Sequence, residues 1–320
     1  MKQKPVASIS LDLDNQWTYM KIHGDEGWDK YPSYLHIFVP HVLDVLEELN
    51  LKITFFVVGK DTESEENNKY LRMITERGHE VGNHSYHHES WLQTYSYDKI
   101  ENEIREAEEA IERVTGQRPR GFRGPGFSWS KDLLKVLESR GYQFDASTLP
   151  TFLGPLARMY YFQKSDLTKE EKHARKELFG KFSEGFRKLK PYKWDLGDGK
   201  RLTEIPVTTM PVFKLPFHLS YLIYLGNMSM PLMKLYLNTA ITMCKMTNTP
   251  ISFLLHPLDL IGGDQVSELA FFPGMNVSSD TKVKVFKSVI GLLQKHYDVV
   301  NMSEHYNFMQ TNIKMDVKRI

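Results

Sequence analysis

Apolar and polar positions along this chain alternate with two periods, and the switches between them predict its elements. Residues 6–14 alternate strictly: Ile9, Leu11 and Leu13 point one way, while Ser8, Ser10, Asp12 and Asp14 point the other, as in a β-strand. The aromatic, polar stretch 15–32 reads as a loop. Over 35–49 the period changes to that of a helix, with Val42, Leu43, Val45, Leu46 and Leu49 on one face and Pro40 near its start. Residues 53–58 are continuously apolar and rich in β-branched and aromatic side chains, the signature of a strand buried on both faces. The rhythm then repeats. A helix over 68–77 ends at Gly78, a short strand spans 80–83, and a long charged helix over 97–115 ends at Gly116. A strand end at 121–123 is followed by a helix over 131–140, with Gly141 at its C′ position, and a strand over 142–145. Strands alternating with helices predict βαβ units, hence an α/β fold with a mainly parallel sheet or barrel.

The rhythm breaks after Pro150. Residues 169–201 are polar and read as a helical or extended insertion. Strand character resumes over 203–207. The stretch 211–237 is rich in Leu, Met, Phe and Tyr but is cut by Pro216, Gly226 and Pro231. A strand over 251–255, a helix over 281–296 and a last strand over 299–302 complete the pattern. No repeat, low-complexity tract or linker divides the chain, so one domain over 1–320 is expected, with an insert at about 151–201.

Composition narrows the functional classes. The 320 residues are 41% hydrophobic and 25% charged, which argues against disorder, collagen and coiled coil. With 41 Lys and Arg against 40 Asp and Glu, the net charge is +1, so bulk charge provides no hold on nucleic acid and none is expected as a partner. Segment 169–201 is locally basic, with 11 Lys and Arg against 6 Asp and Glu. The one cysteine, Cys244, excludes an internal disulfide or a CxxC site, and its apolar neighbours predict a buried, inert thiol. No run of 18 apolar residues predicts a membrane span. Residues 1–5 lead straight into a strand pattern, without the apolar run and cleavage site of a secretory leader, so the expected location is the cytoplasm.

Four segments carry candidate chemistry. Asp12 and Asp14 are two apart on a strand, so both carboxylates leave the same face; this is either a solvated strand side or a paired acid site whose mutual repulsion needs a cation. His84 and His88 are four apart, a spacing that lets two imidazoles of one helical turn share a metal ion, and His87 between them points elsewhere, to solvent or to support. Two His with one carboxylate leave coordination positions open, the catalytic rather than the structural pattern. Arg123 opens a loop shaped by Gly124, Pro125 and Gly126, which is either an ordinary turn or one whose backbone N–H groups approach a ligand. His256 leaves a buried strand just before Pro257, a position that suits a hydrogen-bonded structural residue or a catalyst.

The order of these segments resembles a known family. Ile9-Ser10-Leu11-Asp12-Leu13-Asp14, Thr54-Phe55-Phe56-Val57-Val58-Gly59 and Gly78-His79-Glu80-Val81-Gly82-Asn83-His84-Ser85-Tyr86-His87-His88 resemble the polysaccharide deacetylases, the NodB-homology group of carbohydrate esterase family 4. The likeness continues through Phe122-Arg123-Gly124-Pro125-Gly126-Phe127-Ser128, Gly141-Tyr142-Gln143-Phe144-Asp145-Ala146-Ser147 and Phe253-Leu254-Leu255-His256-Pro257. It covers 6–150 well and 202–303 more thinly, and 151–201 has no counterpart in the pattern. The resemblance implies a distorted (β/α)7-type barrel of mainly parallel strands and one divalent ion, commonly zinc. It implies Asp14, His84 and His88 as metal ligands, Asp12 as general base oriented by Arg123, and His256 as general acid. Three departures stand out. Leu13 separates two Asp residues that are commonly adjacent. Gly126 stands where many members have Tyr, leaving only a backbone N–H for an oxyanion. The Trp-bearing fourth motif is missing, which leaves the partner of Asp145 open.

The function expected from the resemblance is a metal-dependent amidase that removes an N-acyl group, N-acetyl above all, from an amino-sugar glycan or its precursor. Two rivals are a deformylase of a lipid-linked amino sugar and an allantoinase-like ureide hydrolase on the same fold. A catalytically inactive carbohydrate-binding protein is a third. A cytoplasmic location favours a soluble or lipid-linked sugar precursor as the partner. The basic insert and the apolar stretch 213–237 are compatible with peripheral membrane contact, or with 213–237 packing against the barrel; the oligomeric state is not legible.

Overall fold

The structure, a computed structural model, describes residues 4–153 and 182–320. Among these residues ten strands form one sheet. They are β1 (Val6–Leu13), β2 (Thr54–Val57), β3 (Glu80–Asn83), β4 (Gly121–Phe122), β5 (Phe144–Asp145), β6 (Tyr192–Gly197), β7 (Lys200–Glu204), β8 (Ile251–Leu255), β9 (Asp298–Val300) and β10 (Asp316–Arg319). The order is β10-β6-β7-β5-β4-β3-β2-β1-β8, with β9 also pairing β1. Every neighbouring pair is parallel except the β6–β7 hairpin. This is the expected α/β architecture of mainly parallel strands.

The sheet curls but its ladder does not close. Between β7 and β8 lies the extended run after Glu204. There the Ile205 N–H donates to Asp145 O and the Val207 N–H to Thr148 O, while the Thr208 N–H donates to Ser252 O on β8 at 3.0 Å. The Ser252 N–H returns a bond to the Thr208 hydroxyl at 2.8 Å. A few single bonds thus stand where a seventh strand pairing would complete a barrel, which is where the distortion sits.

Both faces of β1 are buried. Ala7, Ile9, Leu11 and Leu13 pack outward against α2 (Leu35–Glu48), α6 (Leu219–Met228), α7 (Met230–Met246) and α8 (Ser279–His296) in one large apolar cluster that includes Cys244. Burial pushes the Cys244 thiol up to about 12, as befits an inert side chain. The polar row is not solvated. It lines the barrel interior, where Ser8 pairs with His305, and Ser10 and Asp12 pair with Arg123. Buried polar groups demand such partners.

α9 (Met302–Asn312) covers the N-terminal ends of the strands. Its Met302 N–H donates to Thr54, its His305 faces Ser8, and its Gln310 donates to Thr203. The opposite, C-terminal ends of the strands are left for the site. Two further helices flank the sheet, α3 (Glu65–Glu76) and α4 (Tyr97–Thr115), with α5 (Lys131–Ser139) packed beside α4.

Several expected boundaries differ. The stretch 15–32 contains α1 (Gln16–His23), capped by the Asn15 side chain. It buries Trp17, Thr18 and Tyr19, which are consecutive and so carry no helical period. α3 starts at Glu65 because the Ser64 hydroxyl caps it by accepting from the Asn67 N–H. Of the insert, 154–181 lies outside the described residues. Its end forms the β6–β7 hairpin, whose turn Gly197-Asp198-Gly199 has positive φ throughout. Pro231 does not interrupt α7 but sits in its first turn, where a missing N–H costs nothing. The segment beyond 300 adds α9 and β10. Among the described residues no helix is long and apolar enough to cross a membrane.

Candidate active site

The residues singled out from sequence converge at the C-terminal ends of the parallel strands: Asp12 and Asp14 at β1, His84 and His88 after β3, Arg123 after β4 and His256 after β8. In α/β sheets this end is where ligands bind.

Asp14, His84 and His88 form one cluster, their ligand-type atoms all within 4.8 Å of one another. His88 Nε2 lies 2.9 Å and His84 Nε2 3.5 Å from Asp14 Oδ1. The His84–His88 segment is not a helical turn, contrary to the spacing argument. It is a bent loop with Ser85 at φ 64° and His88 at φ 52°. Side chains hold it in that strained shape. The Ser85 N–H donates to Asn83 Oδ1, the His88 N–H to the Ser85 hydroxyl, and the Tyr86 and His87 N–H groups both to Glu103 Oε2. His87 does not face solvent freely: its Nδ1 pairs with Glu103 Oε1 at 2.5 Å. Glu103, on the buried face of α4, was not singled out from sequence; a carboxylate among buried helix positions was the available signal.

The cluster fits a metal ion by its own chemistry. His84 Nδ1 lies 2.6 Å from Arg123 O, and a carbonyl only accepts, so Nδ1 carries the proton and Nε2 presents a lone pair to Asp14. Asp14 Oδ1 is buried and accepts no hydrogen bond. An orphaned buried carboxylate oxygen facing two imidazole nitrogens is the kind of donor set that suits a divalent cation.

Asp12 is held differently. Arg123 is wholly buried and donates from Nη1 to Asp12 Oδ1 at 2.6 Å and to the Ser10 hydroxyl at 2.9 Å, and from Nε to Ala146 O at 3.1 Å. Its guanidinium also lies over the Phe56 ring at 4.4 Å. One Asp12 oxygen is thereby occupied. The other, Oδ2, faces His256 Nε2 at 3.9 Å.

His256 is the partly exposed member. Its Nδ1 faces Asp259 Oδ2 at 3.8 Å, and its backbone N–H donates to the same oxygen at 2.8 Å. Burial works against its charge, but Asp259 and then Asp12 outweigh it and raise the imidazolium to about 9. Asp259 was missed in the sequence, although an acid three residues after a residue that precedes Pro is a capping-box spacing. Asp145 does not supply this carboxylate. It is buried beneath the site, accepts from the Ser147 hydroxyl at 2.5 Å, and neighbours Glu204. Burial pushes the Asp145 carboxyl up to about 6 and raises that of Glu204 well above its ordinary value. Gly126 has φ 59° within the short turn Pro125–Phe127, and a Cβ there would come 3.3 Å from Ser90 Cβ. His218 lies behind His256, their ring centroids 6.5 Å apart.

Residues 25–144 match the polysaccharide deacetylase family profile. The chain is 30% identical over 141 residues to a peptidoglycan-N-acetylglucosamine deacetylase of Bacillus cereus, covering 44% of this chain and 61% of that protein. It is 32% identical over 117 residues to a chitin deacetylase of Colletotrichum lindemuthianum, covering 36% and 47%. These matches span less than two thirds of either relative. The crystal structure of a candidate polysaccharide deacetylase from Mycobacterium smegmatis superposes with a TM-score of 0.60 at 20% identity, covering 97% of this chain and 92% of that one, and so shares the fold.

Proposed function

We propose, for a chain whose residues 25–144 match the polysaccharide deacetylase family profile, that it is a metal-dependent hydrolase removing the N-acetyl group from an amino-sugar glycan or its precursor. The observation that carries this reading is the meeting, on one barrel end, of the Asp14–His84–His88 donor set with the Asp12–Arg123 pair and the Asp259-supported His256. The relatives' names, peptidoglycan and chitin deacetylases, support the substrate class.

Hydrolysis of an amide needs a strong nucleophile and a protonated leaving amine. A divalent ion held by Asp14, His84 and His88 supplies Lewis acidity when bound. The remaining work falls to the chain's own groups. Arg123 engages Asp12 Oδ1 and leaves Oδ2 as the oxygen that takes the proton of the attacking water. His256, raised to about 9, holds a proton on the opposite side of that oxygen and gives it to the departing nitrogen. The N–H of Gly126 is the backbone group offered to the oxyanion.

The test is mass spectrometry of products from a panel of N-acetylated and N-formylated amino sugars, free, polymeric and lipid-linked. Loss of one acetyl group per turnover, abolished in Asp12→Asn and in His84→Ala, is expected. Release of formate alone, or turnover of a ureide, would overturn the reading.

A further inference from the structure

Between Glu204 and Asp259 the chain contains no Asp or Glu over 54 residues (205–258), while Lys214, Lys234 and Lys245 occur within them. The structure turns this bias into a surface. On α6 the outward stripe is Tyr221, Tyr224 and Met228, spaced i, i+3 and i+7, with Tyr224 70% and Met228 66% exposed. On α7, which follows after Ser229, Leu232, Leu235 and Met246 face outward, Leu235 being 65% exposed and Met246 78%. The exposed Lys234 and Lys245 flank them. The opposite faces of both helices, with Leu222, Ile223, Met233, Leu237 and Ile241, are already buried in the core, which leaves Tyr224, Met228, Leu232, Leu235 and Met246 facing out of it.

A short loop beside these helices carries the same character. It is closed by the Thr209–Pro216 bridge and by the Met210 N–H donating to Leu215 O, and it holds Val212 and Phe213 out in solvent. Tyr236 of α7 donates to Pro216 O, tying the loop to the helix. The surface also reaches the site. Tyr221, at the start of the stripe, packs edge-on to His218 at 4.8 Å, and His218 lies next to His256.

We infer that the α6–α7 face, with the 212–213 loop, docks on an anionic phospholipid surface, so that the glycan is presented to His256 from the membrane side. Neutral-to-basic charge over the whole segment complements an anionic leaflet, where a Lys near the surface adds attraction. Tyr, Leu, Met and Phe flanked by Lys are the side chains that settle at the headgroup boundary. This deepens the glycan reading, on which it rests only for naming what is presented.

The test is flotation of the full chain with phosphatidylcholine–phosphatidylglycerol vesicles, with pure phosphatidylcholine vesicles as control. Deacetylation of a soluble chitooligosaccharide is followed separately. Binding to the mixed vesicles, weakened by salt and lowered at least about tenfold by Lys234→Glu/Lys245→Glu and by Tyr224→Glu/Leu235→Glu, is expected. All four positions are exposed, so thermal melts and soluble-substrate turnover stay at the parent level. Absence of flotation at low salt, flotation indifferent to these variants, or a stable dimer by light scattering that Tyr224→Glu/Leu235→Glu dissociates would each overturn the inference. Failure of flotation with soluble deacetylation intact would leave the enzymatic reading untouched; the converse result would sink that reading alone.

Discussion

Replacing Asp12 with asparagine separates what the Asp12–Arg123 pair does for the fold from what it does for the reaction. Arg123 is 0% exposed, and Asp12 supplies its charged partner at 2.6 Å. The introduced amide would keep an acceptor oxygen for Arg123, so the hydrogen bond survives and the loss is charge compensation. Breaking a buried pair from one side costs about 3–5 kcal/mol. Ser10 and Ala146 O still accept from the guanidinium, and Asp145 lies within its field, so the cost falls toward the lower end. At about 2.1 cal/mol/K per residue, a chain of this size has an unfolding entropy of about 0.67 kcal/mol/K, so Asp12→Asn lowers Tm by about 4–7 °C in calorimetry at a fixed scan rate. Activity falls at least about 100-fold through loss of the base. The double variant Asp12→Asn/Arg123→Met removes both charges, so it recovers much of the Tm while staying inactive. An unchanged Tm in Asp12→Asn, or a double variant less stable than the sum of its singles, would refute the reasoning.

Three further outcomes are expected. Elemental mass spectrometry finds about one divalent ion per chain, lost in His84→Ala and His88→Ala while the circular dichroism spectrum persists; stoichiometric ion in both variants would remove the donor set from consideration. Because Asp259 contributes to holding the His256 imidazolium up to about 9, Asp259→Asn moves the alkaline limb of the kcat/KM profile to lower pH. A folded-state pKa raised above the unfolded value stabilises fully below about 6.5 and loses that stability as pH rises through about 9, so the stability cost of Asp259→Asn is largest at acidic to neutral pH and shrinks toward pH 9. An alkaline limb that does not move would assign Asp259 to the turn alone. Gly121→Ala drives a Cβ into the buried Phe144 ring and destabilises by about 1–3 kcal/mol in urea unfolding, whereas an unchanged midpoint would mean that β4 and β5 can separate without cost.

Local pattern alone determined much of this protein. The period-two row of β1, the continuous apolar runs of β2 and β8 and the stripes of α2, α4 and α8 are each set by neighbours in the chain, which is why their order and the parallel α/β architecture were legible. The candidate site residues Asp12, Asp14, His84, His88, Arg123 and His256 each sit at or just past the end of a readable strand, while their roles came from the family resemblance and not from local pattern. Tertiary structure decided everything that depends on a distant partner. Whether the polar side of β1 met water or a buried guanidinium rested on Arg123, more than a hundred residues away. The His84–His88 loop took a non-helical shape because Glu103 holds its N–H groups, and spacing does not report a cap supplied by another element. Asp259 rather than Asp145 became the carboxylate beside His256 because β5 carries Asp145 under the sheet end while the turn after β8 bends Asp259 back. α1 and α9 escaped notice because their burial is set by the barrel ends they cover and not by a period of their own.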